Sequence, residues 1–366
     1  MSTNAPAARL RTEQLELLGL FPAFHTPNPG GIQVSGLLAW EAIQKACAER
    51  GGSAHAVQID LSNTADAALD EHSTMLRSRS GAALQVLRAR WTPQIVLCWH
   101  ADLLRLLPLI RDAQRRALFL HGIEVWDTPG WLKQRLYSGL DLVLSNSAFT
   151  LERARVAAPV LARVRGQVVP LGTGECCVET PPPQDPPAAV MLGRLDRGER
   201  YKGHGPVLDA WTRVLERVPN AQLWIIGEGD LRAELEESVR VLALSDHVTF
   251  FGRVDEVRKD ELLTRARCLL LPSRAEGFGI VYAEAMRLGR PSLVGTSDAG
   301  REVVNPPEAG LAADPADPQA LSEAITRLLT PGPEWESWSR RGRQRHAELY
   351  TAEAFQDRLV RALWPQ

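Results

Sequence analysis

The chain has 366 residues, enough for two domains of ordinary size, and its 45% hydrophobic and 23% charged content is that of a folded globular protein rather than a disordered tail. A net charge of −2 supplies no global field for nucleic acid. The five cysteines (Cys47, Cys98, Cys176, Cys177 and Cys268) are odd in number and none has C-x-x-C spacing, which argues against a disulfide framework and a structural zinc site.

The first residues, MSTNAPAARLRTEQ, carry no apolar signal core, and no run approaches the roughly 18 apolar residues of a membrane span. A reducing cytoplasm is the expected setting. Strands are predicted at 15–21, 55–60, 93–99, 117–121, 141–147 and 167–171, with a helix over 37–50. Residues 181–187, PPPQDPP, hold five prolines in seven positions and sustain neither a helix nor a central strand; they are expected to link two domains. The rhythm restarts with strands at 188–193, 221–227, 247–252, 268–273 and 291–295, and helices such as 205–218 and 230–244 between them. Alternating strands and helices imply parallel sheets covered on both faces. The expected division is a domain over 1–180, the linker 181–187, a second domain over 188–350, and a final helix over 351–366. Two doubly wound domains would hold ligand in a cleft at the carboxyl ends of their strands.

The most informative segment is PSRAEGFGIVYAEAMRLGRP, residues 272–291. A strand runs into Glu276-Gly277-Phe278-Gly279, and a helix from Ile280 ends near Gly289, with Pro291 opening the next strand. The glycines admit close backbone approach, and a helix N-terminus offers free N–H groups to a phosphate. Glu276 at the loop and Glu284 a turn into the helix could both accept hydrogen bonds from sugar hydroxyls. Gly193 and Arg194 follow a strand, with Lys202 eight residues on; two fixed cations suit a leaving diphosphate. In the first half, Pro29-Gly30-Gly31 follows the first strand and His121-Gly122 follows the fourth. No D-x-D pair, G-x-S-x-G elbow, H-E-x-x-H or Walker loop is present.

These elements closely resemble the family-4 retaining glycosyltransferases, whose Glu-x7-Glu motif is matched by Glu276 and Glu284. Four further elements follow the family's order: Gly193-Arg194-Leu195 with Lys202-Gly203-His204, Ile226-Gly227-Glu228-Gly229, Val248-Thr249-Phe250-Phe251-Gly252, and Ala299-Gly300-Arg301-Glu302-Val303-Val304. The match over the first half is looser, through Gly30-Gly31, His121-Gly122 and Ser145-Asn146-Ser147. Leu171 stands where many members have Asn, which removes a polar contact there.

The resemblance implies a GT-B fold of two Rossmann-like domains, with the acceptor on the N-terminal side and a nucleotide-sugar donor on the C-terminal side. It implies Arg194 and Lys202 at the diphosphate, beside Gly30, Gly31 and Gly193. Glu284 would bind the ribose, and Glu276 and His121 would face the transferred sugar. Gly277, Phe278, Gly279 and Ile280 would approach the donor, and the backbone of Arg253 and Val254 would receive the base. The final helix would return to the N-terminal domain. Implied activity is retaining transfer of a hexose from a UDP- or GDP-sugar to a saccharide or lipid-linked acceptor, as in bacterial polysaccharide or glycoconjugate synthesis, without a cofactor or metal. The alternatives are a non-catalytic nucleotide-sugar-binding subunit and another GT-B enzyme such as an epimerase. Residues 101–119, with Arg105, Arg111, Arg115 and Arg116 among leucines, offer a candidate for peripheral contact with the inner face of a membrane; the competing expectation is an ordinary amphipathic helix.

Overall fold

The computed structural model describes residues 14–26, 30–60, 72–78, 81, 83, 91–110, 112–177 and 181–365. The chain divides into two compact units. Unit 1 comprises Met1–Asn146, Thr150–Val169 and Gln356–Gln366; unit 2 comprises Ser147–Phe149 and Pro170–Phe355.

Unit 1 is built on a seven-stranded sheet. Its strands are β1 (Gln14–Pro22), β2 (Ala54–Ile59), β3 (Ser73–Leu76), β4 (Thr92–Cys98), β5 (Arg115–Leu120), β6 (Leu142–Ser145) and β7 (Arg165–Val168). They lie in the order β3-β2-β1-β4-β5-β6-β7, and every pairing is parallel. A parallel sheet carries helices on both faces, so its central strands are apolar throughout rather than alternating. Leu17, Leu18, Leu20 and Phe21 of β1 are accordingly all fully buried. Helix α1 (Gly31–Glu49) buries Gly36, Ala39, Trp40, Ile43 and Cys47, spaced at three and four residues. It begins six residues before the expected start, so Gly31 is its first residue. Short helices α2 (Trp131–Tyr137) and α3 (Ala148–Ala157) follow.

Unit 2 carries β8 (Ala188–Leu192), β9 (Gln222–Ile226), β10 (Val248–Gly252), β11 (Cys268–Leu271), β12 (Ser292–Val294) and β13 (Gly310–Ala312) in the parallel order β10-β9-β8-β11-β12-β13. Its helices are α4 (His204–Arg217), α5 (Arg232–Val241), α6 (Glu256–Arg265), α7 (Ile280–Arg287), α8 (Gly300–Val304), α9 (Pro318–Leu329) and α10 (Pro333–Leu349). Val207, Leu208, Trp211 and Val214 of α4 pack with Leu321, Ile325 and Leu328 of α9 in one core. Helix α11 (Ala352–Leu363) ends the chain, and from Gln356 onward it belongs to unit 1. There Gln356 donates to Leu38 O at 3.1 Å, Arg115 donates to Leu363 O at 2.6 Å, and Arg50 lies 4.9 Å from the Trp364 ring centre.

Two sequence expectations differ from this architecture, and two strands went unforeseen. Residues 181–187 lie inside unit 2, because prolines donate nothing but the groups around them bond well: Gln184 N–H donates to Arg265 O at 2.9 Å, Arg267 pairs with Asp185 at 2.9 Å, and the buried Arg290 donates to Pro181 O at 2.5 Å. Residues 101–119 are not one amphipathic helix. Three-ten turns over Ala101–Leu109, which contain Pro108, bury Leu104, Leu106 and Leu107 in the unit 1 core, and Arg115 and Arg116 open β5. Leu103 and Leu109 are half-buried against the same core; Arg111 lies outside the described residues. Strands β3 and β13 were not anticipated, since four and three residues are too few to show a period.

Candidate active site

In each sheet the strand order reverses at one place, between β1 and β4 in unit 1 and between β8 and β11 in unit 2. Loops at the carboxyl ends of strands diverge there and leave a crevice for ligand. In unit 2, Arg194 follows β8 and Glu276 follows β11, so both stand at that reversal.

The β8 loop is locked to its neighbour. Gly193 N–H donates to Ile226 O at 3.1 Å, and Leu195 N–H to Glu228 O at 2.9 Å. Gly227 has φ +144°, and a Cβ there would come within 1.9 Å of Gly193 O, so only glycine lets the two loops run together. Three-ten turns over Arg197–Lys202 then bring Lys202 back beside the loop. Four side chains alternate in sign. Arg194 pairs with Glu199; Glu199 Oε2 lies 3.5 Å from Lys202 Nζ; Lys202 Nζ lies 3.3 Å from Glu276 Oε1. Arg194 is 73% exposed, whereas Lys202 and Glu276 are each 15% exposed and Glu199 9%. Burial lowers the Lys202 pKa, but Glu276 and Glu199 outweigh it and hold the value above normal, so Lys202 is a cation at neutral pH.

Asp298, which nothing in the sequence singled out, fixes the Glu276 backbone. Its carboxylate accepts from Glu276 N–H at 3.1 Å and from Gly300 N–H at 3.0 Å, while Ala299 N–H donates to Glu276 O at 3.1 Å. Asp298 is 3% exposed, and burial lifts its pKa to about 6 against those donors. Phe278 is buried edge-on to Tyr350, with ring centres 5.8 Å apart, and Gly277 O accepts from Ser147 Oγ at 2.7 Å. Gly279, at φ +76°, turns the chain into α7; a Cβ there would overlap the Tyr282 ring. The first N–H groups of α7, from Ile280 on, are thereby presented at the carboxyl edge of the sheet.

Glu284, one turn further, is half-buried and does not join that cluster. Its Oε1 accepts from Lys259 Nζ at 2.7 Å, and the same ammonium donates to Glu256 Oε2 at 2.6 Å. Burial raises the Glu284 pKa while Lys259 opposes it. Lys259 is itself lowered by burial, but Glu284 and Glu256 leave it above normal. It went unnoticed in the sequence because 25 residues separate it from Glu284. Exposed Arg253 and half-buried Val254 lie between the end of β10 and Asp255, the cap of α6, on the loop that leads into the Lys259 helix.

Unit 1 brings a second group together. His121, at the end of β5, is 8% exposed, and its Nε2 lies 2.6 Å from Trp99 O. A carbonyl only accepts, so Nε2 carries the proton and Nδ1 keeps its lone pair. Burial lowers the His121 pKa to about 4, despite Glu124 and the Trp99 hydrogen bond, so the ring is neutral at pH 7 and suited to accept from a hydroxyl. Trp99 Nε1 donates to Ile32 O at 3.0 Å, which ties the first turn of α1 to the histidine. Gly30 caps that turn, its N–H donating to Gln33 Oε1 at 3.0 Å, and Gly31 opens the helix. Pro29 lies outside the described residues. Asn146 Nδ2 donates to His121 O at 2.6 Å, which gives the Ser145-Asn146-Ser147 element a supporting task. Leu171 is buried. Among the described residues no cluster of three or more His, Cys, Asp or Glu is placed to hold a metal ion.

Acid should unfold this protein readily. His121, His204 and His346 all have pKa values lowered by burial to about 4, and neither ring nitrogen of His204 is hydrogen-bonded by the protein. A histidine depressed in the folded state contributes stability that is complete above its ordinary value near 6.5 and is lost as pH falls toward 4, because the unfolded chain takes up the proton first. Asp298 and Glu284, raised by burial, act oppositely but are fewer. The melting temperature should fall between pH 7.5 and pH 5.0. His204→Phe should flatten part of that slope, and a slope unchanged by this variant would show that His204 does not titrate there.

Residues 178–345 match the family model described as glycosyl transferases group 1. Over 143 residues, 38% of this chain, the sequence is 37% identical to the phosphatidyl-myo-inositol mannosyltransferase of Mycobacterium leprae. The chain spans about a third (36%) of that relative's length. It is 29% identical over 261 residues, 63% of the chain and 64% of the relative, to a GDP-mannose-dependent alpha-(1-6)-phosphatidylinositol monomannoside mannosyltransferase of Mycobacterium tuberculosis. Among solved structures, sucrose-phosphate synthase from Thermosynechococcus elongatus superposes with TM-score 0.75 at 20% identity, over 93% of this chain and 96% of that one. Residues 178–345 are thus similar to the glycosyl transferases group 1 family, and the chain carries the GT-B fold of two parallel α/β units.

Proposed function

We propose that this protein is a glycosyltransferase that moves a hexosyl group from a nucleoside-diphosphate sugar to a saccharide or lipid-linked acceptor, with retention of configuration. The observation that carries the reading is the arrangement at the β8/β11 reversal: Arg194 and Lys202 beside Glu276, at the mouth of α7. Two cations and a helix N-terminus stabilise the charge that builds on a departing diphosphate. In the reaction the bond between the anomeric carbon and the phosphate oxygen breaks, and the acceptor hydroxyl bonds to that carbon on the same face. Its proton passes to the departing phosphate oxygen. Glu276 stands near the sugar, Glu284 takes the ribose, and the backbone of Arg253 and Val254 receives the base. Neutral His121 accepts from a sugar hydroxyl. Two of the relatives above are named as phosphatidylinositol-linked mannosyltransferases and one as GDP-mannose-dependent, which makes GDP-mannose and an inositol-lipid acceptor the first pair to try.

Arg194 and Lys202 can balance the diphosphate charge that a divalent cation would otherwise balance, so transfer is expected without a metal. The test is incubation with GDP-mannose, UDP-glucose and UDP-galactose against a panel of saccharide and lipid-linked acceptors, each with and without excess EDTA. Glycosylated product in both arms is expected. Binding of nucleotide sugar without turnover across the panel would favour a non-catalytic binding subunit, and loss of turnover in EDTA restored by manganese would overturn the metal-free site.

A further inference from the structure

We propose that Glu199 is the resident anion of the diphosphate site: it holds Arg194 and Lys202 while no donor is bound, yields them to the arriving diphosphate, and reclaims them as the nucleoside diphosphate departs. The proposal rests on the assignment of Arg194 and Lys202 to the diphosphate.

The geometry separates Glu199 from an ordinary surface carboxylate. Its side chain is only 9% exposed, yet it sits on a short run of three-ten turns whose neighbours Arg200 and Glu234 form an exposed pair. One oxygen binds the Arg194 guanidinium and the other faces Lys202 at 3.5 Å without a hydrogen bond. Arg194 is 73% exposed, and besides Glu199 its head is faced by the half-exposed Asp196, whose Oδ2 lies 3.7 Å from Nη1. A guanidinium on a flexible stem would otherwise sample many rotamers, and ordering it at the moment of binding would cost affinity and speed. Glu199 therefore keeps both cations near the place where a diphosphate would find them.

The charge count adds a second consequence. Arg194, Glu199, Lys202 and Glu276 sum to zero, and Asp196 beside Arg194 adds a further negative charge. A nucleoside diphosphate near neutral pH carries about one more negative charge than the sugar-linked donor, because its terminal phosphate titrates near pH ~6. Repulsion from Glu199 falls harder on the product than on the donor, and so speeds release. Replacing Glu199 with the isosteric, neutral glutamine should tighten the product by about tenfold and the donor by less, on the scale of a nearby charge partly screened by water. A carboxylate that merely braces the loop would give the opposite sign.

The experiment is titration calorimetry of the full chain with UDP, GDP and ADP, carried forward with whichever nucleotide the parent protein binds. Glu199→Gln is compared with Glu234→Gln, which removes the same charge from the neighbouring surface pair, and with Arg194→Ala. Tighter nucleoside diphosphate in Glu199→Gln by about tenfold, with Glu234→Gln within about twofold of the parent, is expected. Product inhibition of transfer should strengthen in parallel. Equal or weaker binding in Glu199→Gln, while Arg194→Ala binds poorly, overturns the proposal and leaves the diphosphate assignment standing. Equal tightening in Glu234→Gln overturns it as a general charge effect. Unchanged binding in Arg194→Ala, or no binding of any of the three by the parent, overturns the assignment and the proposal together. Glu199→Ala carries the same expectations should the glutamine variant melt early.

Discussion

Lys202→Ala should lower the turnover number by about a hundredfold or more, and Arg194→Ala by about a hundredfold, with donor at saturation in both cases; a hundredfold corresponds to about 2.7 kcal/mol of transition-state stabilisation. The larger loss is assigned to Lys202 because of where it stands. It is 15% exposed and lies between two carboxylates, Glu199 at 3.5 Å and Glu276 at 3.3 Å, which keep it charged. A cation partly shielded from water acts on a growing phosphate charge more strongly than one in bulk solvent. Arg194 is largely exposed, and water can take over part of its work. Both side chains would meet the diphosphate most strongly as the glycosyl bond breaks, so kcat should fall further than donor binding. Lys202→Ala also leaves Glu199 and Glu276 without their shared partner, so a modest drop in melting temperature is expected alongside. Steady-state kinetics on variants shown to be folded by circular dichroism provide the measurement. Retained activity in both variants would remove these residues from the diphosphate.

Glu276→Gln and Glu284→Gln should fail in different ways. Glu276 is in direct contact with the Lys202 ammonium, and its backbone is held on both sides by Asp298 and Ala299. A carboxylate fixed so firmly at the loop before α7 can stabilise positive charge developing on the anomeric carbon. Its loss should depress kcat by about a hundredfold while nucleoside diphosphate still binds. Glu284 is half-buried one turn into α7 and is bonded by Lys259. A carboxylate that accepts from two ribose hydroxyls contributes alike to ground and transition states, so its loss should raise the donor KM by about tenfold or more, weaken free nucleoside diphosphate equally, and touch kcat less. Lys259 keeps Glu256 as a partner in that variant and should hold its place. Calorimetry beside steady-state kinetics separates the two patterns. If Glu276→Gln loses nucleotide affinity and Glu284→Gln does not, the donor lies the other way round.

The two-sheet architecture was legible because parallel strands buried on both faces announce themselves as short apolar runs, as LELLGLF does at β1 and CLLL at β11. The residues brought together at the β8/β11 reversal were legible for a different reason: glycines at 193, 277 and 279 mark the loops at strand ends, and charged residues beside them stand out. Lys259 and Asp298 escaped because each works through a partner far along the chain, Glu199 because its near neighbours Arg194 and Lys202 do not reveal its burial, and nothing in GERYK, VRKDE or TSDAG distinguishes a buried carboxylate or ammonium from a solvated one. The proline run misled because composition reports what a segment cannot form, not what its carbonyls and side chains can be bonded by, as Pro181, Gln184 and Asp185 are.

The return of α11 to the first unit changes what a separable part of this protein is. Setting aside the three residues Ser147–Phe149, the chain leaves unit 1 after Val169 and re-enters it at Gln356, so unit 2 is topologically an insertion. No single cut divides the protein into its two halves. Shortening the chain from its C-terminal end would first strip Gln356 from the backbone of Leu38 and Trp364 from Arg50, injuring the unit that contains residue 1 and sparing the one next to it in sequence. A contiguous piece from residue 170 to residue 355 instead retains every strand of the second sheet, with its order uninterrupted, and is the fragment in which Arg194, Glu199, Lys202 and Glu276 could be studied apart from His121.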